Sequence, residues 1–312
     1  MREAAKKSAR VGMGAAWMVR ACIAGGAAAA IFALPAAGAD AAAPDFSGLW
    51  VRNAFNFEPL PEGPAPLTNL KRMRDGTGDA GQLVGDYGNP ILKPEAADIV
   101  RHKGEISISG EAFPDPSNHC APYAPPFNYA MQLGLQMLQK KDSITIIYNQ
   151  DDQVRRIRLN ASHPSRVTPT AMGDSIGHYE ADTLVVDTIG IKTGPLGLVD
   201  RYGTPRSDAF HLVERYRLID GETARLAQER HEKQDGRVGG VPGAMGIDPD
   251  TKLKGLQVLV TVEDPKFFTT PWSANITYRR GRGQWQELVC AENPVEADGR
   301  LTPIPMAEKP DF

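Results

Sequence analysis

Residues 173–189 hold the densest set of proton-moving groups in the chain: Asp174, His178, Glu180 and Asp187. An imidazole oriented by one carboxylate and flanked by a second is the arrangement of a general acid/base. Whether these four meet depends on the backbone between them. Residues 175–180 and 183–189 read as strands, and Ala181-Asp182 separates them as a two-residue turn. That turn sets Glu180 opposite Thr183, His178 opposite Val185 and Ile176 opposite Asp187. Successive strand residues point to opposite faces, so Asp174, Ile176, His178 and Glu180 share a face with Val185 and Asp187. Asp187 then lies diagonal to His178, within hydrogen-bonding reach. Tyr179, Leu184 and Val186 take the opposite face, against a core. In this reading His178 is the acid/base, Asp187 or Asp174 orients it, and Glu180 is a second carboxylate. Arg215 or His211 steadies a developing anion. A solvated polar face is the plain alternative, and a turn one residue longer or shorter sends Asp187 to the other side.

The same block offers a competing chemistry. Gly173-Asp174-Ser175-Ile176-Gly177 matches the G-x-S-x-G elbow of serine hydrolases, and Asp208-Ala209-Phe210-His211 supplies a D-x-x-H. An elbow needs a buried strand before the serine and a helix after it. Here a Pro- and Thr-containing segment precedes Ser175 and a hairpin strand follows, so nucleophilic Ser175 is the weaker reading. His163, His211, Arg215, Tyr179 and Trp272 are candidates for lining a ligand site. Three strand-borne histidines can converge on a metal, but no HxH or HExxH spacing is present, and neither metal nor cofactor is expected.

The elements that must position these groups are mostly strands. Residues 143–148 and 154–159 flank a polar turn, 175–180 and 183–189 flank Ala181-Asp182, and 210–219 and 223–229 flank Asp220-Gly221-Glu222. Residues 255–263, 273–280 and 284–290 complete about nine strands. Consecutive hairpins build an antiparallel meander, and closing it removes exposed edges. The expected fold is mainly β: a lipocalin-like barrel or strongly curved sheet over residues 135–312, with a sandwich as second choice. Residues 40–134 form a Pro/Gly-rich extension wrapped on that core, anchored by Phe46, Trp50, Phe55 and Phe57. One helix is expected there, from Lys93-Pro94-Glu95 to about His102. Residues 234–253, rich in Gly and Pro, read as a rim loop or lid.

Residues 1–39 read as a Sec-type signal peptide: Arg2, Lys6, Lys7, Arg10 and Arg20, an apolar run over 21–34, and Ala37-x-Ala39 before the expected start at Asp40. The chain has 35 basic and 38 acidic residues; the signal takes five and one of them, leaving a net charge of about −7. With no basic stripe, nucleic acid is not an expected partner, and no later run is long enough to span a membrane. Cys22 leaves with the signal. Cys120 and Cys290 are then the expected disulfide of an oxidising compartment, tying the extension to the last strand, with two buried free thiols as the alternative.

The block 173–188 resembles a motif of the form GDSxGHWEGDTLVVDT, found in a family of exported bacterial proteins whose biochemical role is unassigned. The similarity extends to Pro44-Asp45-Phe46-Ser47-Gly48-Leu49-Trp50, Pro90-Ile91-Leu92-Lys93-Pro94, His163-Pro164 and Glu214-Arg215-Tyr216. It continues in Glu263-Asp264-Pro265, Pro271-Trp272, and Glu287 to Cys290. This kinship implies export but no reaction. Tyr179 stands where the pattern has Trp and Ala181 where it has Gly, at a turn position that often needs positive φ. The functional expectation is a secreted or periplasmic protein that takes a small apolar or aromatic molecule into a barrel cavity. It transforms that molecule by His/carboxylate proton transfer, of lyase, isomerase or hydrolase type. A non-catalytic envelope carrier is the alternative; the residues do not indicate an oligomeric state.

Overall fold

Short β-branched and aromatic runs, each bounded by polar turn residues, become strands throughout the second half of the chain. The computed structural model describes residues 43–71, 83–111, 115–131, 133–235, 245–285 and 290; the signal expected over residues 1–39 lies outside them. The strands are β1 (Gly48–Val51), β2 (Glu58–Pro59), β3 (Leu135–Gln139), β4 (Ser143–Tyr148), β5 (Gln153–Leu159), β6 (Asp174–Glu180) and β7 (Thr183–Ile189). They continue as β8 (His211–Ile219), β9 (Gly246–Ile247), β10 (Gly255–Glu263) and β11 (Trp272–Arg282). Nine of them close in the order β1-β3-β4-β5-β6-β7-β8-β10-β11, with β1 hydrogen-bonded to β11 to complete the ring. The protein is a closed β-barrel.

Three details differ from the sequence expectation. The barrel is mixed: β5 and β6 run parallel, with Ile157 opposite Ser175, while every other barrel pair is antiparallel. A parallel neighbour needs a crossover, not a tight turn, and residues 160–173, interrupted by Pro164 and Pro169, supply it. Second, the segment expected as a strand over 223–229 is helical, within α2 (Gly221–Asp235); α1 is the expected N-terminal helix, Pro94–Ser109, which runs beyond His102. The start of α2 is set by Asp220, whose Oδ1 accepts hydrogen bonds from the amides of Glu222 and Thr223, both at 3.0 Å. Arg225 then bridges Glu222 and Glu229 at helical spacing. Ala224 and Ala227 are buried on its inner face, and a Cβ on Gly255 of β10 would lie 2.3 Å from Ala224 Cβ, so the helix packs closely at that glycine. Third, Gln284 and Trp285 follow β11 without strand structure, and 286–289 lie outside the described residues.

The strands that take the two missing places are β3 and β1. The latter comes from the Pro/Gly-rich extension: Trp50 pairs with Leu135 on one side and Arg280 on the other. The extension therefore contributes a wall of the barrel as well as covering it. The disulfide joins Cys120 to Cys290 with Cα atoms 5.6 Å apart. It ties the turn after Pro116–His119 to the segment that follows β11, not to the last strand itself.

Alternation sorts side chains between lumen and surface. Leu135, Met137, Ile144, Ile146, Leu184, Val186, Leu212, Val258, Val260 and Ile276 point inward and are buried. Burying such a side chain is worth roughly 1.5–3 kcal/mol. Trp50, Tyr129, Tyr216 and Tyr278 are buried with them.

Candidate functional site

The β6–β7 hairpin has the register expected from a two-residue turn: Glu180 opposite Thr183, His178 opposite Val185, Ile176 opposite Asp187. Ala181 adopts φ +53°, a left-handed conformation that only glycine takes without a Cβ penalty. Asp174, His178, Glu180 and Asp187 accordingly share the outer face, and Leu184 and Val186 face the core.

The contacts among these groups differ from the expected ones. His178 is half-exposed and bonds Glu180 at 3.2 Å, not Asp187. Glu180 in turn accepts a hydrogen bond from Arg215 at 2.5 Å. The bonds from Arg215 and His178 hold the Glu180 carboxyl below its usual range. Asp187 instead serves two other histidines. His163 places Nε2 2.9 Å from Asp187 Oδ1, and His211 places Nε2 2.9 Å from Asp187 Oδ2. The far nitrogen of His163, Nδ1, lies 2.6 Å from Asp174 Oδ1, and Arg158 donates to both oxygens of Asp174 at 2.7 and 2.9 Å. The far nitrogen of His211 lies 3.6 Å from Glu263 Oε2, beyond hydrogen-bonding distance. The result is a continuous row: Arg158, Asp174, His163, Asp187, His211, Glu263.

Five neighbouring strands and one crossover assemble this row. Arg158 comes from β5, Asp174 from β6, Asp187 from β7, His211 and Glu263 from paired positions on β8 and β10. His163 comes from the crossover 160–173, four positions past the end of β5, and not from a strand. Burial raises the pKa of Asp187, but hydrogen bonds from His211 and His163 outweigh it and keep the carboxyl below its usual range. His163 meets a carboxylate at hydrogen-bonding distance through each ring nitrogen, whereas His211 does so through one only. Among the described residues no group of three His, Cys, Asp or Glu side chains is placed to hold a metal ion.

The other candidates fall elsewhere. Ser175 points into the barrel, buried, in the middle of a strand ladder. Its Oγ accepts from Arg155 Nε at 3.1 Å and lies 3.1 Å from Thr188 Oγ1, so no imidazole is bonded to it to take its proton. Asp208 is exposed while His211 is bonded to Asp187, so the D-x-x-H does not form a dyad. Trp272 is a core residue packed on Phe57 and Phe268. Tyr179 packs against the core from the inner face, and burial raises its pKa, with Asp45 adding to the effect.

A second ionic network occupies the lumen, built from residues outside the expected site. Arg155 and Glu214 are both fully buried and joined at 2.8 Å (Nη1 to Oε1) and 2.5 Å (Nη2 to Oε2). Arg155 also donates to Thr188 Oγ1 at 2.7 Å, and Tyr129 donates to Glu214 at 2.5 Å. Burial, and then the Glu214 charge, push the phenols of Tyr129 and Tyr216 far up, so both remain neutral donors. The signal available was parity: Arg155 falls among Gln153, Ile157 and Leu159, the inward set of β5.

Compared with protein-family models, with curated proteins and with solved structures, the chain has no match in any of the three.

Proposed function

We propose that this is an exported protein that carries out a proton-transfer step on a small organic molecule, at the outer-face row and not in the lumen. The observation that carries this reading is the unequal use of the two histidines on Asp187. His163 is 19% exposed and committed at both nitrogens, whereas His211 is 32% exposed and only its Nε2 is hydrogen-bonded. Asp187 therefore fixes the tautomer and direction of the His211 ring, leaving Nδ1 to exchange a proton with a ligand. Glu263 stands behind that nitrogen as a second carboxylate, and His163, itself braced by Asp174 and Arg158, holds Asp187 from the other side. Ile176 and Val213, the cross-strand neighbours of Asp187, supply a partly apolar floor for an apolar or aromatic body. His178, Glu180 and Arg215 lie one step along the same face and border the site.

Export to the periplasm or medium is part of the same reading. The Cys120–Cys290 disulfide supports an oxidising compartment, and mass spectrometry of the processed protein is expected to find Asp40 at the N-terminus. Capture of small molecules from extracts by the purified protein, followed by turnover assays on what is retained, tests the chemistry. His211→Gln is expected to lower turnover by about 10²–10⁴-fold while retention persists. Unchanged turnover in that variant would remove His211 from the chemistry, and retention without any turnover in the native protein would make it a carrier.

A further inference from the structure

We infer that the buried Arg155–Glu214 pair is a positioning device for the outer-face row; this rests on the acid/base reading of that row. Ser175 and Thr188 are direct cross-strand partners in the β6–β7 ladder, and Arg155 bonds both hydroxyls from inside the barrel. Their chain neighbours, Asp174 and Asp187, are the two carboxylates that hold His163 from outside. Adjacent residues of a strand project to opposite faces, so fixing Ser175 and Thr188 inward fixes the outward direction of Asp174 and Asp187. Glu214 extends the same clamp to β8, where it lies opposite Val186 of β7 and three positions from His211. One guanidinium and its carboxylate thus grip the three strands that carry Asp174, Asp187 and His211. Stability alone does not account for the pair, because a satisfied buried ion pair can be exchanged for apolar side chains of similar volume at little loss or at a gain.

The test uses that exchange in the full processed chain. Arg155→Met/Glu214→Leu removes both charges together. Side-chain NMR follows the pH titration of the His163 and His211 rings, which are assigned by the single Gln variants. The groups facing those rings are Arg158, Asp174, Asp187 and Glu263, all left intact by the exchange. The expected result is a folded protein in which both titrations move by about half a pH unit or more. Thr188→Val, nearly the same shape, cuts one contact of the clamp and is expected to move them in the same direction by less. If the double variant fails to fold, Thr188→Val decides. Unchanged titrations in the folded variants overturn the positioning role. Asp187→Asn separates this from the underlying reading: if it leaves the rings unaffected, the acid/base assignment falls as well.

Discussion

Two ionic networks lie back to back across one β-layer, and they are built on opposite terms. The inner one, Arg155 with Glu214, is sealed from water, and its partners Tyr129, Ser175 and Thr188 are buried with it. The outer one, from Arg158 to Glu263, is partly exposed along its length and leaves one nitrogen of His211 without a hydrogen bond. Water decides the difference. In the lumen an unpaired charge has no substitute partner, so every donor and acceptor must be matched by protein. On the surface solvent stands in for any partner, so the ion pairs contribute little to stability, and a loose end is tolerated where it can meet a ligand. Rigidity belongs to the first network, and the proposed chemistry would belong to the second.

The sharpest way to break this comparison is to remove one partner from each side. Glu214→Ala strands the Arg155 charge in the lumen and is expected to destabilise by about 3–5 kcal/mol. Asp187→Asn is expected to change stability by less than about 1 kcal/mol. Urea denaturation of both variants checks the contrast, and equal losses would abolish it. Next in size is the disulfide, which touches neither network. Reduction is expected to remove about 2–5 kcal/mol and to leave the ring titrations of His163 and His211 unmoved. No loss of stability on reduction would mean that the tie across 170 residues contributes nothing to folding. Tyr129→Phe deletes one neutral donor to Glu214 and is expected to cost about 1–3 kcal/mol, less than stranding the charge.

The smallest effect is a pH dependence. The Asp187 carboxyl titrates lower in the folded protein than in the unfolded chain because its bonds from His211 and His163 outweigh burial. Its contribution is therefore complete above the unfolded carboxylate pKa of about 3.9. It disappears as pH falls through the lower folded value, where folded and unfolded states bind the same proton. Asp187→Asn is expected to flatten the acid limb of a stability–pH curve by well under about 1 kcal/mol, since solvent screens a group this exposed. An unchanged acid limb would mean that neither histidine stabilises the charged carboxylate.

The barrel was more legible than the site. Residues 143–148, 175–180, 183–189 and 255–263 announce themselves because alternation and turn residues are local signals. Helix α2 could have been found the same way: Asp220 before Glu222-Thr223, and Glu222, Arg225 and Glu229 at helical spacing, argue for a capped helix against the hairpin reading. The contribution of β1 was hidden, because four residues, Gly48 to Val51, in a Pro-rich stretch look no different from covering chain until β11 is there to pair with. The parallel β5–β6 step was equally obscure, since a 14-residue connection specifies a crossover but not the neighbour it reaches.

The hairpin that carried the first chemical reading shows where local information ends. Strand alternation and a two-residue turn determine, without reference to the rest of the molecule, that Asp174, His178, Glu180 and Asp187 share a face. They do not determine which groups arrive over that face from elsewhere. Only the crossover that delivers His163, and the β8–β10 pairing that delivers His211 with Glu263, decide that Asp187 belongs to those histidines and that His178 is left with Glu180. The physical reason is range: side-chain direction follows from adjacent peptide units, whereas a hydrogen-bond partner is chosen among everything that closure of the barrel brings within 3 Å.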